Sequence, residues 1–216
     1  MRRTLPAIAA AVLLLGAAPL DSAAVLANYA RAIETVASPK ISIFIYAVSQ
    51  AGPTDIEQRH RIYRSGTSVR DETLSVDGSK PKLAAVRIGK HEDRYAVARL
   101  APRPAQYELL FLTTAQIGGR TAYIFDATPF VKSGAGFVVT RVAIDGETFL
   151  PRTISFKSTS LDARAEGEVA YGPAGGYWMP TLATVSATVN GSAARERIAF
   201  GEYRFPLSLP PSTFQR

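Results

Sequence analysis

Phe137-Val-Val-Thr-Arg-Val-Ala-Ile144-Asp145-Gly146-Glu-Thr-Phe149-Leu150-Pro-Arg-Thr153-Ile154-Ser155-Phe156-Lys157-Ser158 is the stretch that decides the fold of this chain. Two β-branched and aromatic runs, 137–144 and 150–158, flank Asp145-Gly146, a dipeptide that turns the backbone. In the second run Leu150, Ile154 and Phe156 alternate with Thr153, Ser155 and Lys157, the period of a strand with one buried and one wet face. The pair reads as an antiparallel hairpin, and the pattern repeats on both sides of it. Downstream come strands over 164–171, 177–189 and 195–205, turned at Gly172–Gly176 and at Asn190-Gly191, a favoured two-residue hairpin turn. Upstream, Tyr107–Thr114 places Tyr107, Leu109 and Phe111 on one face. Gly118-Gly119 turns it into 120–128, where Tyr123 and Phe125 lie together. Strands over 41–49, 56–64, 68–76 and 83–88 precede these, turned at Gly52-Pro53, Ser65-Gly66 and Asp77-Gly78. Residues 95–104, with Pro102 and Pro104, read as a short helix or irregular segment. Residues 132–136 read as a polar, glycine-rich loop. Nine to eleven short strands at regular spacing point to an antiparallel barrel or strongly curved sheet rather than a parallel α/β fold.

One helix stands before the strands. Val25, Tyr29, Ile33 and Val36 fall three and four apart, which stacks them on one face of a helix over 22–37, with Ser22 as its cap. Ser38-Pro39 stops it, because the residue before a proline is driven out of the helical region. The prolines of 206–211 mark an extended tail on the body.

The first 24 residues have the order of a secretory signal: Arg2 and Arg3, the apolar run Leu5–Leu15, then Gly16, Ala17, Ala18 and again Ser22, Ala23, Ala24. A cut after Ala24 is expected, leaving one domain over 25–216. A cut after Ala18 would put Pro19 beside the scissile bond. As an uncleaved anchor the run is too short, since a span needs about twenty apolar residues. The chain has no Cys, which excludes disulfides, thiolate chemistry and an N-terminal lipid-bearing cysteine. The net charge is +7, of which Arg2, Arg3 and Asp21 hold +1, so 25–216 keep +6. An exported basic protein meets anionic lipid, acidic glycan or acidic protein; nucleic acid is not an expected partner there.

Catalytic patterns are missing. His60 and His91 are the only histidines. His91-Glu92-Asp93 reads as a solvated turn, because adjacent residues seldom face one metal ion. His60, between Arg59 and Arg61, reads as a surface or lightly buried strand residue. The chain has no G-x-S-x-G or H-E-x-x-H motif, and Ser133–Gly136 lacks the Lys-Ser/Thr of a phosphate loop. Asn190-Gly191-Ser192 reads as a turn rather than a glycosylation site. No metal and no cofactor is expected. Apolar side chains facing one way are what the chain has: Phe44, Tyr46, Leu109, Phe111, Tyr123, Phe125, Phe156, Tyr171 and Trp178. They are either an ordinary core or the wall of a ligand cavity.

Three stretches carry a family resemblance. The first runs from the N-terminal helix through Arg61-Ile-Tyr-Arg64-Ser-Gly-Thr-Ser-Val-Arg70 to Asp77-Gly78. The second joins Ile117-Gly-Gly-Arg120-Thr-Ala-Tyr123-Ile-Phe125 to Val142-Ala-Ile-Asp145-Gly-Glu-Thr-Phe-Leu150-Pro151. The third is Gly201-Glu-Tyr203-Arg-Phe205 with Pro210-Pro211-Ser-Thr-Phe214. In this order the chain resembles the bacterial outer-membrane lipoprotein carrier superfamily: the periplasmic carrier LolA, the receptor LolB and the signalling protein RseB. The resemblance implies a mainly β (α+β) fold, an unclosed antiparallel half-barrel wrapped over an N-terminal helix and a short lid, with a cavity for acyl chains. It implies a monomeric, non-enzymatic periplasmic binder. The ligand would be a lipid-modified protein or another acyl-bearing molecule, exchanged with an inner-membrane transporter or outer-membrane receptor. Arg64 matches the carrier's lid-holding arginine by its place before the Ser65-Gly66 turn. The missing lipidation Cys separates the chain from the receptor, and 95–104 departs from the carrier's lid. An envelope-stress sensor of the RseB type is the second reading. A secreted hydrolase, which would need a histidine and a carboxylate clustered in a cavity, is the third.

Overall fold

The computed structural model of the chain describes residues 21–52, 55–82, 85–131, 136–160 and 163–215. Helix α1 (Ser22–Thr35) is followed by β1 (Ile41–Ala51), β2 (Ile56–Ser65), β3 (Ser68–Val76) and β4 (Val86–Lys90). The one-turn helix α2 (Val97–Leu100) comes next, then β5 (Tyr107–Ile117), β6 (Arg120–Pro129), β7 (Gly136–Asp145) and β8 (Pro151–Thr159). Strands β9 (Ala163–Ala174), β10 (Tyr177–Val189) and β11 (Ser192–Arg204) complete the sheet, and a 3-10 turn (Pro211–Phe214) ends the chain. All eleven strands form a single antiparallel sheet in the order β4-β3-β2-β1-β11-β10-β9-β8-β7-β6-β5. It is unclosed, as the resemblance implied, and β4 and β5 are its edges.

Apart from β4 and β5, strands consecutive in the chain are neighbours in the sheet, with two consequences of the topology. The first and last strands pair inside the sheet, as its fourth and fifth members, and residues 91–106 must carry the chain from one edge to the other. A flat sheet of eleven strands would hold its edges about 48 Å apart at the usual strand spacing of ~4.8 Å. Residues 91–106 contain α2 and reverse turns at Asp93–Ala96 and Arg103–Gln106, which shorten their reach. The sheet therefore curls, and this crossover lies across its inner face.

The Asp145 turn shows why the deciding stretch folds as it does. Asp145 is fully buried. Its Oδ1 accepts hydrogen bonds from the Glu147 and Thr148 amides (3.0 and 2.8 Å) and from the Thr148 hydroxyl (3.0 Å). Its Oδ2 lies 2.9 Å from Nε of Arg152 and 3.2 Å from Nε of Arg120. The two-residue turns at Gly118-Gly119 and Asn190-Gly191 have left-handed φ at both positions (59° and 75°; 49° and 80°), the geometry that matches strand twist.

Several boundaries differ from the sequence reading. Asp21, not Ser22, caps α1, its Oδ1 accepting from the Ala23 and Ala24 amides. The helix ends at Thr35, earlier than expected, where the Thr35 hydroxyl bonds back to the Arg31 carbonyl. A cut after Ala24 would remove the cap and first turn, leaving α1 held by burial of Val25, Tyr29 and Ile33. Residues 1–20, and with them most of the expected signal, lie outside the described residues, as do 132–135 of the expected loop. The strand expected over 83–88 is found at Val86–Lys90, with 83 and 84 outside the described residues. The tail ends in the 3-10 turn and is tied to β3, where Arg70 Nη1 donates to the Thr213 carbonyl at 3.2 Å.

Candidate functional site

The inner face of the sheet is divided in two. Over β6–β10, α1 and the crossover fill it. Val25, Tyr29, Ile33, Val97 and Leu100 pack with Phe125, Val142, Ile144, Ile154, Phe156, Val169, Tyr171 and Ala183 into one core cluster. The Tyr29 hydroxyl donates to the Pro102 carbonyl (2.9 Å), and the Tyr171 hydroxyl to the Tyr95 carbonyl (3.0 Å). Over β1–β4 and β11 an open cleft of about 620 Å³ remains.

Register builds the cleft from the strands. Tyr46 on β1 lies between Phe200 on β11 and His60 on β2. One row along, Phe44, Ile62, Asp71 and Arg87 stand opposite one another across β1, β2, β3 and β4. Period-two alternation adds Val48 from β1, Gln58 and Arg64 from β2, Val69 from β3 and Ile198 from β11. The crossover closes one side with His91–Tyr95, and the Tyr95 ring meets Phe200 edge-on at 5.7 Å. A second hollow of about 510 Å³ adjoins at Gln50, Ile56 and Glu196 but has no comparable aromatic wall.

A polar hub sits within this wall. His60 Nδ1 is 2.7 Å from Asp71 Oδ1, and its Nε2 is 3.1 Å from Gln58 Oε1. The Tyr46 hydroxyl donates to Asp71 Oδ2 at 3.3 Å, and its ring stacks on His60 at 4.7 Å. Burial raises the Tyr46 pKa; the Asp71 charge and hydrogen bond add to this, against Arg94 and Arg87. The Tyr95 pKa is also raised, by burial first, with Arg94 opposing and Glu196 and Asp93 adding to it.

Arg64 reaches the crossover. Its Nη1 donates to the His91 carbonyl at 2.8 Å, while its buried Nε has no partner. That carbonyl precedes α2 rather than belonging to it, so the contact is to the approach of the short helix.

The nine apolar residues singled out from the sequence do not stay together. Phe44 and Tyr46 line the cleft. Phe125, Phe156, Tyr171 and Trp178 lie in the core beneath α1 and the crossover, at 0, 6, 3 and 8% exposure. Trp178 Nε1 donates to the Pro151 carbonyl there (2.7 Å). Leu109 and Tyr123 pack half-buried against that core. Phe111 is 39% exposed on the edge strand β5, edge-on to Phe125. Sequence reasoning missed His60, Asp71, Arg87 and Arg94. His60, read as surface or lightly buried, is 7% exposed and inward-facing. Its signal was the alternation Gln58, His60, Ile62, Arg64, whose outward partners Arg59 and Arg61 drew the reading to the surface.

His60 and His91 both line the cleft, and His60 has a carboxylate partner. Both ring nitrogens of His60 are nevertheless engaged, and Tyr46, the hydroxyl beside it, has its proton held more firmly by burial. No group of three or more His, Cys, Asp or Glu suited to a metal ion occurs among the described residues. No helix among them is long and apolar enough to cross a membrane.

No family model matches the chain, and no curated protein matches it. Solved structures do. A LolA superfamily protein from Nitrosomonas europaea aligns over 90% of this chain and 97% of its own, at 13% identity and a TM-score of 0.45. A putative outer membrane lipoprotein-sorting protein domain from Vibrio parahaemolyticus aligns over 88% of this chain and 95% of its own (14% identity, TM-score 0.47). A chain of the Pseudomonas aeruginosa MucA/MucB complex aligns over 88% of this chain and 100% of its own (14% identity, TM-score 0.26). Identities this low carry no information on ligand or partner.

Proposed function

We propose that the chain is a monomeric, non-enzymatic periplasmic carrier for an acyl-bearing ligand, a lipid-modified protein or another amphiphile. In this reading residues 1–24 direct export, no cofactor is used, and an inner-membrane transporter or outer-membrane receptor exchanges the load. One observation supports it above the others: half of the inner face is filled by its own helix, while the other half is an aromatic-walled cleft of about 620 Å³. At roughly 30 Å³ per heavy atom, the share of a water molecule in the liquid, that volume houses about twenty heavy atoms, one acyl chain with its head. Each CH₂ moved from water into it contributes about 0.8 kcal/mol. Titrating the purified protein with a fluorescent fatty-acyl probe tests the reading. Saturable binding that Phe44→Ala and Ile62→Ala both weaken is expected; absence of saturable binding would sink it.

A second reading, an envelope-stress sensor that binds a membrane protein's outer domain, is favoured by the edge strand β5. Leu110 and Leu112 are 56 and 47% exposed there, and Glu108 is its only charge. Long apolar edges are usually blunted or covered in natural sheets. An adjacent sigma-factor and anti-sigma gene pair would favour this reading, and a neighbouring lipoprotein-export transporter gene would favour carriage.

A further inference from the structure

Two guanidinium groups at the mouth of the cleft have no hydrogen-bond acceptor or ion-pair partner among the described residues. Arg87 extends from β4, in register with Asp71, and Arg94 from the crossover, where its guanidinium lies 4.8 Å from the Tyr95 ring centroid. They come from different elements, and both line the same cleft as Tyr46. Both side chains are exposed, so they rim the cleft rather than fill it. Among the described residues neither has a carboxylate within 4.0 Å.

The carboxylates that line the same cleft are Asp71, Glu92, Asp93 and Glu196. Asp71 is held by His60 and Tyr46, Glu92 pairs with Arg99, and Asp93 accepts from the Tyr95 amide. Glu196 stands at the other end, opposite Gln50, which is four residues or ~13 Å along β1 from Tyr46. The cleft is thus graded across its strands: apolar at the wall of Phe44, Val48, Ile62 and Phe200 on β1, β2 and β11, and polar toward β4 and the crossover, where Arg87 and Arg94 are the guanidinium groups without an ion-pair partner among the described residues. The buried, unpaired Nε of Arg64 adds an unmet donor on that side.

Resting on the carrier reading, we propose that the ligand is a single-chain amphiphile with an anionic head, a carboxylate or phosphate monoester, seated between Arg87 and Arg94. A planar guanidinium offers paired donors that match the two oxygens of such a head, and charge-assisted bonds of this kind are the stronger ones. The head stays at the wet rim, so its solvation is not given up, while the chain occupies the apolar wall. Neutral lipids of the same length lack the oxygen pair and gain from the chain alone.

Competition of oleate, oleyl phosphate and oleyl alcohol against a fluorescent acyl probe tests this on the purified protein. Oleate or oleyl phosphate is expected to bind about tenfold more tightly than the alcohol, the size of one charge-assisted contact. Which of the two binds better tells carboxylate from phosphate. The preference should shrink with added salt. It should vanish in the Arg87→Gln/Arg94→Gln double variant, whose affinity for oleyl alcohol stays unchanged and so reports an intact cleft. Equal binding of alcohol and acid, or a preference that survives in the double variant, would overturn the head-group proposal and leave the carrier reading standing. Failure of all three to displace or bind would overturn the carrier reading and the head group with it.

Discussion

Asp145 is the residue on which the deciding hairpin turns, and its environment fixes a sign. Burial pushes its carboxyl pKa up, but hydrogen bonds from Thr148 and Glu147 and the charge of Arg120 outweigh this and hold it below the ordinary value. A carboxyl with a depressed folded-state pKa contributes stability that is present above its unfolded value, about 3.9, and lost as pH falls through the folded value. Asp145→Asn keeps an acceptor for the turn but leaves Arg120 and the largely buried Arg152 without their shared charge. Urea unfolding at pH 7 should show a loss of about 3 kcal/mol, the low end for breaking a buried pair. The difference from wild type should narrow as pH drops below about 4. A constant difference down to pH 2 would show that shape, not charge, is what the aspartate supplies. Arg64 belongs to the same scale. Its half-buried guanidinium holds the His91 carbonyl, the entry of the crossover. Arg64→Leu should leave the circular dichroism spectrum unchanged, speed amide exchange over 91–96, and raise the release rate of a bound acyl probe about tenfold. If neither exchange nor release changes, Arg64 is a solvated strand-end residue with no part in retention.

The crossover is the element that separates a filled trough from an open one. Tyr29, Tyr171 and Arg64 each donate to one of its carbonyls, at Pro102, Tyr95 and His91. Tyr171→Phe removes the central tether at a cost of about 1 kcal/mol and should alter probe release. Tyr203→Phe removes a bond of the same kind, to the Pro180 carbonyl within the sheet, and should not. Equal effects of the two variants on release would mean that general loosening, not the tether, is at work. Much of this element plan was legible in the sequence. The Asp145-Gly146 hairpin, the Asn190-Gly191 turn and the apolar face Val25, Tyr29, Ile33 are local signals, each set by residues close in the chain. Where α1 docks is not local. Phe156 and Tyr46 have equally good strand patterns, yet Phe156 packs over Gly167, where a Cβ would lie 2.7 Å from its ring, and Tyr46 faces the cleft. Nothing within either strand records which stretch of sheet the helix will cover. His60 was obscured for the related reason that its chain neighbours point the other way.

For the whole molecule, the division of the inner face makes a claim about where a ligand acts. A ligand that binds only the folded chain stabilises it by RT ln(1 + [L]/Kd), about 2.7 kcal/mol at a hundredfold excess over Kd. For a chain of this size that corresponds to a rise of roughly 5–10 °C in Tm. The rise alone does not locate the site, but hydrogen exchange does. Occupation of the cleft should slow exchange in β1–β4 and in residues 91–96, whose amides surround it. Exchange in α1 and β6–β8 should stay unchanged, because Phe125, Phe156 and Tyr171 are already shut under the helix. The opposite pattern has an equally definite meaning. Exchange altered in α1 and β6–β8, with β1–β4 unmoved, would show that the ligand enters by displacing the helix. The site would then lie among Phe125, Phe156, Tyr171 and Trp178, and Tyr46→Ala would leave affinity untouched while Phe156→Leu would lower it. With the ligand in the cleft the two variants exchange roles: Tyr46→Ala weakens binding, and Phe156→Leu costs about 1–2 kcal/mol of stability with little change in affinity once the protein is folded.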